Sequence, residues 1–154
     1  MSLEDDIAFF EGVPTLAALG KQALRVLAIG AETRQLASGA VLFYAGEFAD
    51  GGYIVQQGSL AVEAANPSEG HEFTIGPGAL LGELSLLGET VSPVTAIAKE
   101  PTVVIRISRN LFRKMLEGYP AAAKRLRELM ASRLDDVSQE LERVHRRMKQ
   151  NGEN

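Results

Sequence analysis

Cysteine is absent from the 154 residues, which excludes a disulfide framework, a thiolate metal site and a cysteine nucleophile. Histidine is scarce. His71 and His145 are too few for a histidine-rich metal site, and an imidazole base would have to be one of them. Long hydrophobic runs are missing too: stretches such as Ala40–Ala45 fall far short of the roughly 18 to 20 residues of a membrane span. No basic n-region followed by an apolar h-region opens the chain, so a cytoplasmic location without a membrane partner is expected. No Ser-His-Asp order, HExxH or GxxxxGK[ST] loop occurs, which argues against an enzyme and against a catalytic cofactor or metal. At 45% hydrophobic and 23% charged residues, the length suits one soluble globular domain over 1–154.

Positive charge is missing locally. The net charge is -4, yet residues 1–107 carry 5 Lys or Arg against 13 Asp or Glu, while residues 108–154 carry 11 against 7. An acidic front repels a nucleic-acid backbone. No Lys or Arg at all lies between Arg34 and Lys99. Glycine is uneven in the same way, with 11 of 15 between Gly30 and Gly88, so two architectures share the chain.

The front, residues 3–28, is predicted helical, with Leu16, Leu19, Ala23 and Leu27 on one face, Pro14 near the start of a second piece and Gly30 as a stop. Across 32–108 the pattern turns to short strand-like runs separated by glycine: Val41–Tyr44, Tyr53–Gln57, Leu60–Ala65, His71–Ile75, Val94–Ala98 and Thr102–Ser108. Leu60, Val62 and Ala64 alternate with Ala61 and Glu63, as in a strand with one buried face. Many short strands with glycine turns predict a small antiparallel barrel or sandwich.

Over 109–150 helical spacing returns. Ser108 is placed to cap a helix with the stripe Leu111, Phe112, Met115 and Leu116, broken by Gly118, Tyr119 and Pro120. A longer helix follows, of almost 30 residues or about 45 Å. Its Met130, Leu134, Val137, Leu141, Val144 and Met148 follow the 4-3-4-3-4 spacing of a coiled-coil seam. A homodimer through this seam is expected, packing on the chain's own barrel being the other reading.

The most informative stretch is Gly76-Pro-Gly-Ala-Leu-Leu-Gly-Glu-Leu-Ser-Leu-Leu-Gly88, where glycine turns deliver a strand-like run into a short helical segment starting near Gly82. Backbone N–H groups at such a start suit an anion. Glu83 would compete with that anion unless turned aside to accept from something else, such as a sugar hydroxyl; a plain capping carboxylate is the other reading.

Four blocks in order carry a family resemblance: Asp5-Asp-Ile-Ala-Phe-Phe-Glu-Gly-Val13, Ala37-Ser-Gly-Ala-Val-Leu-Phe-Tyr-Ala-Gly-Glu47, Tyr53-Ile-Val-Gln-Gln-Gly-Ser-Leu-Ala-Val62, and Gly76-Pro-Gly with Gly82-Glu-Leu-Ser-Leu86. From about Ile7 to Arg143 the chain resembles the cyclic-nucleotide-binding domain of bacterial cAMP-receptor regulators, kinase regulatory subunits and cyclic-nucleotide-gated channels. The resemblance implies an α+β, mainly β fold: an eight-stranded antiparallel β-roll (a jelly-roll or double-stranded β-helix) with N-terminal helices and two closing C-terminal helices. It implies a regulatory cAMP or cGMP ligand and a phosphate-binding cassette at 82–95. Glu83 then takes the ribose 2′-hydroxyl, Gly82, Leu84 and Ser85 offer main-chain donors, and Ser92, Pro93, Val94 and Thr95 complete the site. The long helix of the family covers the base, which points to Arg125, Leu129 and Ser132.

One departure stands out. The family's cassette ends in an Arg that pairs with the cyclic phosphate, and here the stretch reads Ser92-Pro-Val-Thr-Ala-Ile-Ala98. A charge-assisted hydrogen bond is worth about 1.5 to 3 kcal/mol, so its loss weakens phosphate capture by roughly 10-fold to 150-fold. Three readings fit: a cyclic nucleotide is still bound, weakly, with Ser92 and helix amides on the phosphate; a less charged small molecule has replaced it; or binding is lost and the fold serves as a dimeric module for a protein partner. Ser92 also reads as a turn serine before Pro93, and Thr95 as a plain strand residue. His71 reads as a solvated hairpin residue, and His145, among Arg143, Arg146 and Arg147, as part of a basic helix face. DNA binding is not expected: the winged helix that follows in bacterial relatives has no room before Asn154, and Arg143–Lys149 reads as a charged coiled-coil face.

Overall fold

The computed structural model describes residues 2–65 and 72–152, with side chains as far as Lys149. The front holds three helices, α1 (Leu3–Glu11), α2 (Pro14–Ala17) and α3 (Lys21–Gly30), where the sequence suggested two pieces. Ser2 caps α1 reciprocally with Asp5, its hydroxyl accepting from the Asp5 amide at 3.1 Å while the Asp5 carboxylate accepts from the Ser2 amide at 3.2 Å. The extra break comes at Gly20, whose φ of 88° lies outside the helical region. Leu16, Leu19, Ala23 and Leu27 are all buried.

Among the described residues ten strands follow: β1 (Glu32–Leu36), β2 (Val41–Phe43), β3 (Phe48–Ala49), β4 (Gly51–Gln57), β5 (Leu60–Ala64), β6 (Glu72–Ile75), β7 (Leu80–Leu81), β8 (Thr90–Val91), β9 (Val94–Ala98) and β10 (Thr102–Ser108). The count exceeds the eight expected; β3, β7 and β8 are two residues long, too short to show periodicity, and the polar β1 is not among the runs named from the sequence. His71 lies outside the described residues. The strands form two four-stranded antiparallel sheets, ordered β1-β10-β4-β7 and β2-β9-β5-β6, and a β3-β8 pair. Gly58 makes the corner at which the chain leaves the first sheet for the second. Its φ is +88°, and a Cβ there would lie 2.5 Å from the Thr102 hydroxyl and 2.7 Å from the Pro101 carbonyl oxygen.

The two-residue period of β4 and β10 divides their side chains between two cores. Val55 and Val104 join Leu60, Ala96 and Ala98 inside the roll. Ile54, Ile105 and Ile107 face the other way and pack with Phe10, Leu16 and Leu24 of the front helices and Phe112 and Met115 of the back.

Helix α4 (Arg109–Gly118) begins at Ser108, whose hydroxyl accepts from the Leu111 amide at 3.1 Å. Helix α5 (Pro120–Gly152) is 33 residues long, about 50 Å at 1.5 Å per residue. Only its first part is docked: Ala122 and Leu126 are buried and Met130 packs against the same core. Met130, expected in the seam, is thus partly buried against the chain's own core. Leu134, Val137, Leu141, Val144 and Met148 form an apolar stripe, each side chain 50–68% exposed.

Candidate functional site

The roll encloses a cavity of about 640 Å³, within the range of small-molecule sites. Its walls are apolar, from Leu42 and Phe43 on β2, Tyr53 on β4, Val62 on β5 and Leu80 and Leu81 on β7. Phe43 and Tyr53 pack ring to ring at 5.7 Å between centroids. Phe48, Phe73, Leu84 and Val91 line the cavity while remaining at least half exposed, so apolar groups also surround its mouth.

One side of the cavity is the turn after β7. Gly82 adopts φ 79°, ψ 31°, and a single 3₁₀ turn, Glu83–Leu86, follows. Only glycine suits this position: a Cβ would lie 2.9 Å from the Gly51 carbonyl oxygen, in a left-handed backbone conformation. The Ser85 amide already donates to the Gly82 carbonyl at 3.0 Å, so it is engaged inside the turn and is not the ready ligand donor expected. The Ser85 and Thr90 hydroxyls share a hydrogen bond of 2.6 Å.

Glu83 does not act as a cap of the turn. It accepts a hydrogen bond from Nη1 of Arg133, on α5, while Nη2 of the same guanidinium donates to the Thr15 hydroxyl at 3.1 Å. One arginine thus ties together the turn, the long helix and α2. Both partners stay partly solvated, with side-chain exposures of 40% for Arg133 and 29% for Glu83, which moderates the strength of the pair.

Ser92 is 7% exposed, and its hydroxyl donates to the Val94 carbonyl at 2.7 Å. It lines the cavity with its polar group turned back onto its own backbone, as turn serines do. Thr95 is absent from the lining, and its hydroxyl accepts from the Ala45 amide at 2.9 Å, tying β9 to the turn after β2. Gly82, Glu83, Leu84, Ser85, Ser92, Pro93 and Val94 do meet at the one cavity. Arg125, Leu129 and Ser132 do not reach it. Arg125 instead donates to the carbonyls of Ala18 at 2.9 Å and Leu19 at 2.7 Å, satisfying backbone acceptors at the end of α2.

Arg34 on β1 is a lining residue that the sequence reading passed over. Its guanidinium lies 5.8 Å from the Tyr53 ring centroid, donates to the Tyr53 hydroxyl at 3.4 Å and stands 3.7 Å from the Glu32 carboxylate. Alternation from Leu36, which packs on the roll core, is the signal that places it there. The lining also holds Glu47, Asp50 and Glu83. Asp50 is committed to Arg106 at 2.7 Å, a hydrogen bond that holds its carboxyl below the usual range against the opposing effect of burial. Among the described residues no cluster of His, Asp and Glu is suited to a metal ion, and no helix is long and apolar enough to cross a membrane.

The sequence model of the cyclic nucleotide-binding domain matches residues 33–119. A cyclic AMP receptor protein of Thermus thermophilus is 31% identical over 114 residues, covering 72% of this chain and 52% of the relative, so the chain spans about half of that protein. A cyclic nucleotide-binding-like protein of Brucella abortus is 39% identical with a TM-score of 0.65, over 73% of this chain and 98% of the other. The N-terminal domain of a transcriptional regulator from Streptomyces coelicolor is 27% identical with a TM-score of 0.75, over 83% and 91%.

Proposed function

The chain belongs to the cyclic nucleotide-binding domain family, and from that premise we propose that it is a non-catalytic, cytoplasmic sensor module. In this reading cAMP or cGMP binds in the roll cavity, weakly, and occupancy is passed to a homodimer through α5. The observation that carries it is the bond from Arg133 to Glu83. The carboxylate that the family turns to the ribose is held by the helix that would carry the signal. A ligand hydroxyl that takes Glu83 competes with Arg133, so ligand affinity differs between the docked and released positions of α5. That difference is the condition for any transmitted change. The seam of Leu134, Val137, Leu141, Val144 and Met148 supports a second copy as the other half of the output, because an exposed heptad stripe is self-complementary in a helix pair.

Without a cassette arginine the phosphate has no strong partner on the turn, and the lining carboxylates outnumber Arg34. Titration calorimetry with cAMP and cGMP tests the reading. Weak binding that disappears in Glu83→Ala is expected, and Ser92→Arg is expected to tighten it by about 10-fold to 150-fold.

A second reading is favoured by Ser92, whose hydroxyl is spent within its own turn: the site has decayed and the fold serves as a dimeric module for a protein partner. It predicts no heat from either nucleotide, with the folded protein confirmed, and no gain from Ser92→Arg.

A further inference from the structure

A second cleft, of about 340 Å³, opens between the end of the 3₁₀ turn and α4 and shares no lining residue with the roll cavity. Leu86, Leu87, Gly88 and Glu89 form one side; Arg109, Arg113 and Leu116 form the other. Arg109 and Arg113 stand one helical turn apart on the same face, where like charges repel. They also sit at the start of α4, facing the positive end of its dipole.

Neither arginine is held in a close ion pair among the described residues. Glu89 is the cleft's one carboxylate and makes no ion pair within 4.0 Å among them. Asp50, the other carboxylate in the field of Arg109, is taken by Arg106 at 2.7 Å. Nη1 of Arg109 is buried without any hydrogen-bond partner among the described residues. A buried donor on a charged group is costly to leave unpaired.

We propose that this cleft is an oxyanion site, taking a phosphate group, free or on a small ester, between the guanidiniums of Arg109 and Arg113. The planar forks of two arginines match phosphate oxygens. Leu86, Leu87 and Leu116 give the cleft an apolar side against which the rest of a small ester packs. An occupant clasps the end of the cassette turn to α4. The inference stands independently of whether that cavity binds a nucleotide.

The test follows backbone amide resonances of the full chain during titration with inorganic phosphate and, separately, phenyl phosphate, with potassium chloride at matched ionic strength as control. Saturable shifts are expected at residues 86–89 and 109–116 with phosphate and not with chloride. Arg109→Gln and Arg113→Gln are each expected to weaken the response about 10-fold or more. Arg113 is solvent-exposed, so its variant keeps the test valid should Arg109→Gln fail to fold. A stronger response to phenyl phosphate than to inorganic phosphate identifies an ester as the natural occupant, and an equal response identifies the free ion. Shifts reproduced by chloride, shifts unchanged in both variants, or no response at millimolar phosphate would each overturn the proposal.

Discussion

Arg133 holds two partners with one guanidinium, a charged one at Glu83 and a neutral one at Thr15. The partners lie on different elements, so the residue acts as a tie between the cavity wall and the front helices. Arg133→Ala is expected to lower unfolding free energy by about 1 kcal/mol, the upper end for a partly solvated pair, as read by urea denaturation. It should also uncouple the site: ligand added to the variant should no longer alter hydrogen exchange along α5. Persistence of the wild-type response would show that the signal travels by another route. At this scale the sequence was least informative. Glu83 and Arg133 lie 50 residues apart, and no local period links them. Whether Ser92 faces the cavity or its own turn depends on a rotamer, which spacing does not encode. Arg34 was visible only as the last cation before a stretch without Lys or Arg, since its place on the wall depends on the register of β1 against β10, with Arg34 opposite Val104.

Among the elements, the turn after β7 is the most constrained. Gly82 combines a left-handed backbone with a carbonyl 2.9 Å from where a Cβ would stand, whereas Gly78, at φ +91°, has nothing within 4 Å. Gly82→Ala is expected to cost about 1 to 3 kcal/mol and to displace Glu83, while Gly78→Ala costs only the backbone penalty of about 1 to 2 kcal/mol. Thermal unfolding of the two variants side by side checks the difference, and equal losses would remove the special role of Gly82. Elements with a repeating apolar pattern were legible: the longer strands apart from the polar β1, α4 with its Ser108 cap, and α5 with its stripe. Those without one were not. The break at Gly20 and the strands β3, β7 and β8 depend on single glycines and on pairs of residues, too little for periodicity to register. The same limit hid the contact of Met130 with the core, since a heptad count follows the helix axis and gives no sign of where the core ends.

Taken whole, the chain joins an acidic, glycine-rich roll to a basic helical end, and the change of sign falls at the start of α4. Part of that opposition is used inside the molecule, where Arg133 from the back meets Glu83 from the front. The rest of α5 carries its apolar stripe into solvent. Leu134→Asp with Leu141→Asp is expected to turn a dimer into a monomer by sedimentation while leaving the thermal unfolding of the roll in place, because neither residue contributes to the two buried cores. A wild-type chain that sediments as a monomer at all concentrations would end the dimer reading.

The undocked length of α5, from Leu134 to Met148, has a thermodynamic consequence of its own. Isolated helices of about 12 to 15 residues are marginal in water, so without a partner this stretch has little to hold it in register. Helix formation and association then become one equilibrium governed by mass action. Dilution should lower the far-ultraviolet helical signal per residue, and concentration should restore it, which would make the chain a gauge of its own abundance before any ligand arrives.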